Sequence, residues 1–322
     1  MQPSYKKTHQ DGIWISMPKE IDIIQQVSNA ILQNNFAVQR QNNNNYGYPY
    51  VYSRGNSELD CRFVDSVFLE NPAAWDTADI VITDNIPLKS VAGQLISVLP
   101  EFWSIWQFDP VYEDRPATWA YNCFMNRARG DRTRVFYELL KRDILSKGIV
   151  SFNVTVDEYD AQFVEANLHN YQLEYTQGKS LIPYNNLTGT LEQCIVDSRV
   201  SLILETYTSD DHIVFSEKIF RVLQLPRPWL LYCSPGSVKV LRDYGFDVLD
   251  DHVDHQYDQT VQHGHRLQAI LGQLETFVDR QYSQQNYVRF TQAAEHNQQL
   301  LQKFAQAWPD KLVTILDKIA QL

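Results

Sequence analysis

The chain has 322 residues, 44% hydrophobic and 21% charged, proportions of a globular protein that exclude a disordered one. Lys and Arg number 28 against 39 Asp and Glu, a net charge of −11, so most of the surface repels nucleic acid and any grip on phosphates must be local. No stretch reaches the roughly 18 apolar residues of a membrane span, and the opening MQPSYKKTHQDG has no apolar signal core, so a cytoplasmic protein is expected. At about 150 residues per domain the length suggests two domains. Cys61, Cys123, Cys194 and Cys233 are scattered without metal spacing and read as free, buried thiols in a reducing compartment. The N-x-T triplets at Asn153 and Asn186 then read as chance matches.

In chain order, residues 19–35 space Ile21, Ile24, Val27 and Ile31 as one face of an amphipathic helix. The asparagine run at 42–45, leading into YGYPYVYSRG, predicts an exposed polar loop. ADIVITDN (78–85) has the pattern of a buried parallel strand feeding a loop, and a helix is expected from Lys89 to Leu99. YNCFMN (121–126) predicts a strand, followed by the basic RARGDRTR, a helix over 135–148 stopped by Gly148, and a β-branched strand over 148–156. Residues 157–190 are polar and irregular, with a helical hint at 157–168. Beyond them come a strand through VSLILE (200–205), a helix over 215–225 closed by Pro226, and strand then turn over 228–236. A helix over 237–245, strand then acidic loop in FDVLDD (246–251), and helix from Val261 to the C-terminus, broken at Pro309, complete the pattern. Strand–helix alternation predicts an α/β fold with a parallel sheet covered on both faces.

Ligands of such sheets bind where strand ends meet helix starts, and three of these junctions are chemically loaded. NRARGDRTR crowds Asn126, Arg127, Arg129, Arg132 and Arg134 after a strand, and guanidinium forks match phosphate oxygens. The same arginines could equally start a solvated helix and pair with Asp131 and Glu138. At the second junction Ser216, Glu217 and Lys218 open a helix, with Arg221 one turn on. Lys218 would reach a diphosphate and Glu217 a ribose or sugar hydroxyl; the plainer reading is an N-cap and an exposed Glu217–Arg221 pair. The third, DDHVDHQYD (250–258), is either a divalent-cation site or an acidic loop packed through Tyr257. SPGS (234–237) is a small-residue turn that would let a ligand approach Ser234. Phosphate-loop, dinucleotide, zinc-protease and nucleophile-elbow motifs are missing from the sequence.

The order of these motifs, from VSLILETY through FSEKIFRVLQLPRPWLLYCSPGSVKVLRDYGFDVLDDHVDHQYD, resembles the C-terminal domain of phage, viral and bacterial glycosyltransferase-like proteins. It is similar, too, to the sugar-nucleotide half of fucosyltransferase-type enzymes, and with the upstream NRARGDRTR the resemblance covers roughly residues 120–260. It implies a GT-B-like α/β enzyme of two Rossmann-like domains, an acceptor side at 1–118 and a donor side at 119–275, with C-terminal helices at 276–322. Glu217 and Lys218 would meet the nucleotide ribose and phosphates, Arg127 with Arg132 or Arg134 the diphosphate, and Glu205 the donor pocket. No acceptor motif precedes residue 120.

Departure of the diphosphate builds negative charge that Arg132, Lys218 and a helix start would stabilise without a metal or other cofactor. Asp84, at the end of a strand, is the candidate base; Asp109 and Asp114 are its rivals, and Trp103, Trp106 and Phe108 are candidates for stacking on a sugar or base. The acceptor would be a glycan or small molecule, with a modified DNA base less favoured by the acidic charge. Two other readings stay open: a nucleotide-sugar-binding module without turnover, and a metal-dependent hydrolase centred on 250–258.

Overall fold

The structure is a computed structural model that describes strand backbones at 37–40, 48–54, 57–64, 80–83, 86–87 and 94–97, and residues 107–125, 130–152, 184–185, 187, 189–205, 208 and 212–320. The N-terminal strands are β1 (Ala37–Arg40), β2 (Tyr48–Arg54), β3 (Ser57–Val64), β4 (Ile80–Thr83), β5 (Ile86–Pro87) and β6 (Gln94–Ser97). Five of them form one sheet in the order β1-β2-β3-β4-β6, antiparallel from β1 to β3 and parallel from β3 to β6. Two expectations are corrected here. The tyrosine-rich segment is a strand, because alternating Tyr48, Tyr50 and Tyr52 suit a pleated ribbon paired with β3. Within 89–99 the run Gln94–Ser97 is also a strand, registered on β4 from Ile80 to Thr83. A short apolar run satisfies strand and helix patterns alike, and pairing decides between them. The helix expected at 19–35 and the helical hint at 157–168 lie outside the described residues.

The second sheet also has five strands. Its strands are β7 (Trp119–Met125), β8 (Gly148–Phe152), β9 (Tyr184–Asn185), β10 (Ser198–Leu204) and β12 (Trp229–Tyr232); the short β11 (His212–Ile213) lies apart and pairs with β5. The order is β12-β10-β7-β8-β9, parallel across the first four strands and antiparallel at β9. Among the described residues the α-helices are α1 (Gly130–Lys141), α2 (Leu191–Val196), α3 (Glu217–Leu223), α4 (Ser237–Asp243), α5 (His263–Val278) and α6 (Gln284–Ala320). Every residue of β8 and β12 is buried, which requires cover on both faces. Arg142, just past α1, pairs with Glu275 of α5 on one face, while Phe220 of α3 meets Phe246, which in turn meets Phe304 of α6 on the other.

The chain runs from β7 outward to β8, returns to β10 on the far side of β7, and continues outward to β12. Strand order therefore reverses between β7 and β10, and α1 and α3 leave on opposite faces. By that topology the carboxyl ends of those two strands mark the crevice where parallel α/β sheets take their ligands. Deeper in the sheet Asn122 Nδ2 donates to Ser201 Oγ at 2.9 Å, so this polar pair joining β7 to β10 is satisfied.

Several boundaries differ from those the sequence suggests. The helix expected at 135–148 starts at 130 and ends at 141, with Asp143 in the left-handed region. Gly148 instead opens β8, and a Cβ there would lie within 2.7 Å of three Tyr121 ring atoms, so the strand pair closes only over a glycine. FDVLDD is not a strand, because side chains take up its backbone groups: Asn297 Oδ1 accepts from Asp247 N, Asp247 Oδ1 accepts from Leu249 N, and His255 bonds Val248 O. Tyr257 OH accepts from Leu231 N and so caps the edge of β12 that a further strand would cover. Helix α6 continues through Pro309, since losing a single N–H does not end a helix of 37 residues. No helix among the described residues is long and apolar enough to cross a membrane.

At the amino edge of the sheet, Arg227 is 1% exposed. Its Nε donates to Val196 O at 2.6 Å, NH1 to Pro226 O at 2.7 Å and NH2 to Arg115 O at 2.6 Å, and its guanidinium centre lies 4.9 Å from the Tyr287 ring centroid. One side chain thus ties α2, the segment entering β7 and α6 together. Replacing it by an apolar chain of similar length strands three carbonyls. We expect Arg227→Met to lower the free energy of unfolding by about 3 kcal/mol or more, against under about 1 kcal/mol for exposed Lys239→Met, both read by denaturant titration.

Candidate active site

The carboxyl edge of the second sheet gathers residues from five places in the chain. Strand β10 runs buried to Leu204, and Glu205 N donates to Tyr232 O at 3.0 Å, extending the β10/β12 ladder by one residue. That bond holds Glu205 rigidly at the strand end, where the residue is only 4% exposed. Its Oε1 accepts from Ser216 N at 3.1 Å, and its Oε2 accepts from Ser216 Oγ at 2.6 Å and from Lys218 Nζ at 3.3 Å. Lys218 Nζ also donates to Ser216 Oγ at 2.9 Å. Ser216, extended at φ −109°, is the N-cap of α3, its Oγ accepting from Lys218 N at 3.4 Å. Ser216 Oγ thus caps one N–H of the short helix start, and the charged group at this junction is the lysine.

Across the crevice, Asp131 in the first turn of α1 accepts from Thr208 Oγ1 at 2.7 Å. Arg266 NH2 donates to Thr208 O at 3.0 Å, and its NH1 donates to Thr260 O and Val261 O at 2.8 and 3.1 Å. The Arg266 guanidinium centre lies 5.6 Å from the Tyr232 ring centroid. Burial, together with the Asp131 charge, raises the Tyr232 phenol above its ordinary value, so it stays a neutral hydroxyl. This second cluster joins α1, the segment after β10, the end of β12 and the start of α5.

Glu205, Ser216 and Lys218 come together. Glu217 stands partly exposed in the first turn of α3. Ser234 lies 1% exposed beyond β12, its Oγ unpartnered among the described residues, while its carbonyl accepts from Ser237 Oγ at 2.6 Å. Gly236, at φ +83°, permits that turn. Arg132 is 6% exposed and lies near Cys123, whose thiol burial pushes up to about 12, with Arg132 acting in the opposite direction. Arg134 faces α5, its NH2 lying 3.4 Å from where a Cβ on Gly264 would stand. Arg221 turns to α2, its Nε 3.7 Å from Glu192 Oε1, rather than pairing with Glu217. Asp109 and Asp114 line a cavity of about 460 Å³ against α6, and Asp114 lies 3.6 Å from Arg227. Asp84, Asn126, Arg127, Arg129, Trp103 and Trp106 lie outside the described residues.

Arg266 went unnoticed in the sequence, although a signal was present. It lies on the same stripe as Leu267, Ile270, Leu271 and Leu274, where a charged residue marks a buried bond network.

The acidic run 250–258 is a set of structural contacts. Arg242 forks onto Asp250 at 2.8 and 2.7 Å, and Arg289 bridges Asp247 and Asp251. Asp254 Oδ1 accepts from Gln256 N at 3.0 Å, and Asp258 Oδ2 accepts from Lys239 N at 3.0 Å, capping α4 from a distance. The Arg242 hydrogen bonds hold Asp250 below the usual carboxylate range, whereas burial raises Asp258. Among the described residues no group of three or more His, Cys, Asp or Glu is placed to hold a metal ion. The chain matches no protein-family model, no curated protein and no solved structure.

His255 gives this loop a pH dependence. It is buried between Tyr257 OH and Val248 O, and burial lowers its pKa below the ordinary 6.5. The unfolded chain therefore takes up the proton first, and the stability that neutral His255 contributes is complete above pH 6.5 and lost as pH falls from there toward the lower folded value. His255→Gln removes this contribution but leaves the opposing one of Asp258. The stability gap between the two proteins should narrow as pH is taken from about 7.5 to about 5.5 in denaturant titrations; a constant gap would contradict the assignment.

Proposed function

We propose that this chain is a glycosyltransferase that moves a sugar from a nucleotide-sugar donor to a hydroxyl acceptor, with the donor diphosphate held at the carboxyl edge of the second sheet. The observation that carries the reading is Lys218, whose ammonium stands at the end of β10, beside the reversal of strand order between β7 and β10. The resemblance of residues 120–260 to sugar-nucleotide domains supplies the chemistry. The GT-B arrangement belongs to the proposal too, with residues 1–118 as the acceptor side. Pairing of β5 with β11, three residues before Ser216, supports it, because β5 follows β4 across the segment that contains Asp84.

In the proposed reaction the bond between the sugar anomeric carbon and the diphosphate oxygen breaks, and its electron pair leaves with the diphosphate. Lys218 meets the growing charge, and Arg127 and Arg129 are further candidates for that role. The acceptor hydroxyl forms the new glycosidic bond and gives its proton to a carboxylate, for which Asp84 is the candidate.

Binding tests this first. A charge-assisted hydrogen bond to phosphate contributes roughly 1.5–3 kcal/mol, so Lys218→Gln, which still offers Glu205 a donor, should weaken binding of at least one of UDP, GDP, ADP or CMP about tenfold or more in calorimetry. Equal affinity in both proteins would remove Lys218 from the site. Nucleotide binding without sugar transfer to any hydroxyl acceptor would favour the binding-module reading over the enzyme.

A further inference from the structure

The Lys218 junction carries its own counter-charge. The Glu205 side chain is 1% exposed and both its oxygens face protein donors, so a ligand cannot reach it, whereas the Lys218 side chain is 25% exposed. We propose that Glu205 is a positioning residue that keeps Lys218 in a self-neutralised resting pair, and that a pyrophosphate group enters by drawing the ammonium away from it. This deepens the diphosphate reading of Lys218 and rests on it.

The bond lengths show which contact yields. Lys218 Nζ stands 3.3 Å from Glu205 Oε2, longer than the roughly 2.7–2.9 Å of a strong charge-assisted bond. Ser216 Oγ, at 2.6 Å, and Ser216 N, at 3.1 Å, continue to satisfy Glu205 once the lysine turns outward. The carboxylate is then not orphaned, which keeps the exchange cheap. Its negative charge nevertheless stays beneath the incoming polyanion and opposes it. A residue that served only to cap α3 would have no such effect on the ligand, and a residue that contacted the donor would help binding. A positioning carboxylate that competes for the lysine makes binding weaker than the site could give.

The test titrates inorganic pyrophosphate into the full chain by calorimetry, comparing wild type with Lys218→Gln, Glu205→Gln and Glu205→Asp. Wild type should bind and Lys218→Gln should bind about tenfold more weakly or worse. Glu205→Gln, which keeps shape and the acceptor for Ser216 N, should bind about tenfold more tightly. Glu205→Asp, which withdraws the charge by one methylene, should tighten binding by about threefold. Equal or weaker binding by folded Glu205→Gln overturns the inference while Lys218-dependent binding by wild type leaves the diphosphate reading standing. Lack of any Lys218-dependent binding by wild type overturns both. If Glu205→Gln does not fold, Glu205→Asp decides by the same sign, and failure of both to fold also overturns the inference, because Glu205 would then be a requirement of the fold.

Discussion

A carboxylate removed from solvent at the end of a parallel strand must find donors or lose its charge, and Glu205 organises the candidate site by meeting that demand. The β10/β12 ladder fixes its backbone, so the donors have to come to it. Ser216 N and Oγ and Lys218 Nζ do so, which fixes where α3 starts and which way its lysine points. The helix cap, the position of the cation and the charge balance of the crevice follow from one buried side chain.

Two buried guanidinium groups do comparable work at opposite edges of the sheet. Arg227 collects backbone carbonyls at the amino edge, where α2, α6 and the entry to β7 converge. Arg266 collects them near the carboxyl edge, tying the segment after β10 to the start of α5. An arginine can do this because its donors fan out in a plane and stay charged when desolvated. Both act on loops without regular hydrogen bonding, which would otherwise leave carbonyls buried and unpaired. The sheet edges are thus held by side chains rather than by longer secondary structure.

Much of the second sheet was legible in the sequence. The segments that became β7, β8, β10 and β12 are mostly apolar, as strands covered on both faces need to be, and α2 and α3 carry their own N-caps, Thr190 and Ser216. The failures share a cause. In 94–97 and 48–54 a short run was compatible with more than one state, and a neighbouring strand chose. FDVLDD has strand-like residues but lies where Tyr257 and Asn297 claim the hydrogen bonds a strand would need. The acidic run 250–258 was readable as a cation site because sequence lists charges without their partners, and Arg242 and Arg289 come from other helices.

The sequence alone determined the α/β alternation, the local caps such as Ser216, and the presence of cationic residues at strand-to-helix junctions in an acidic chain. These are properties of residues within a few positions of one another, so periodicity and side-chain chemistry suffice to read them. Only the tertiary structure decided that Glu205 and Lys218 share one carboxyl-edge site, that Arg221 turns to Glu192, and that Arg266 is buried against Tyr232. Those outcomes depend on the order in which strands lie side by side, and that order is set by burying both faces of the sheet, a condition on the whole chain that no local segment records.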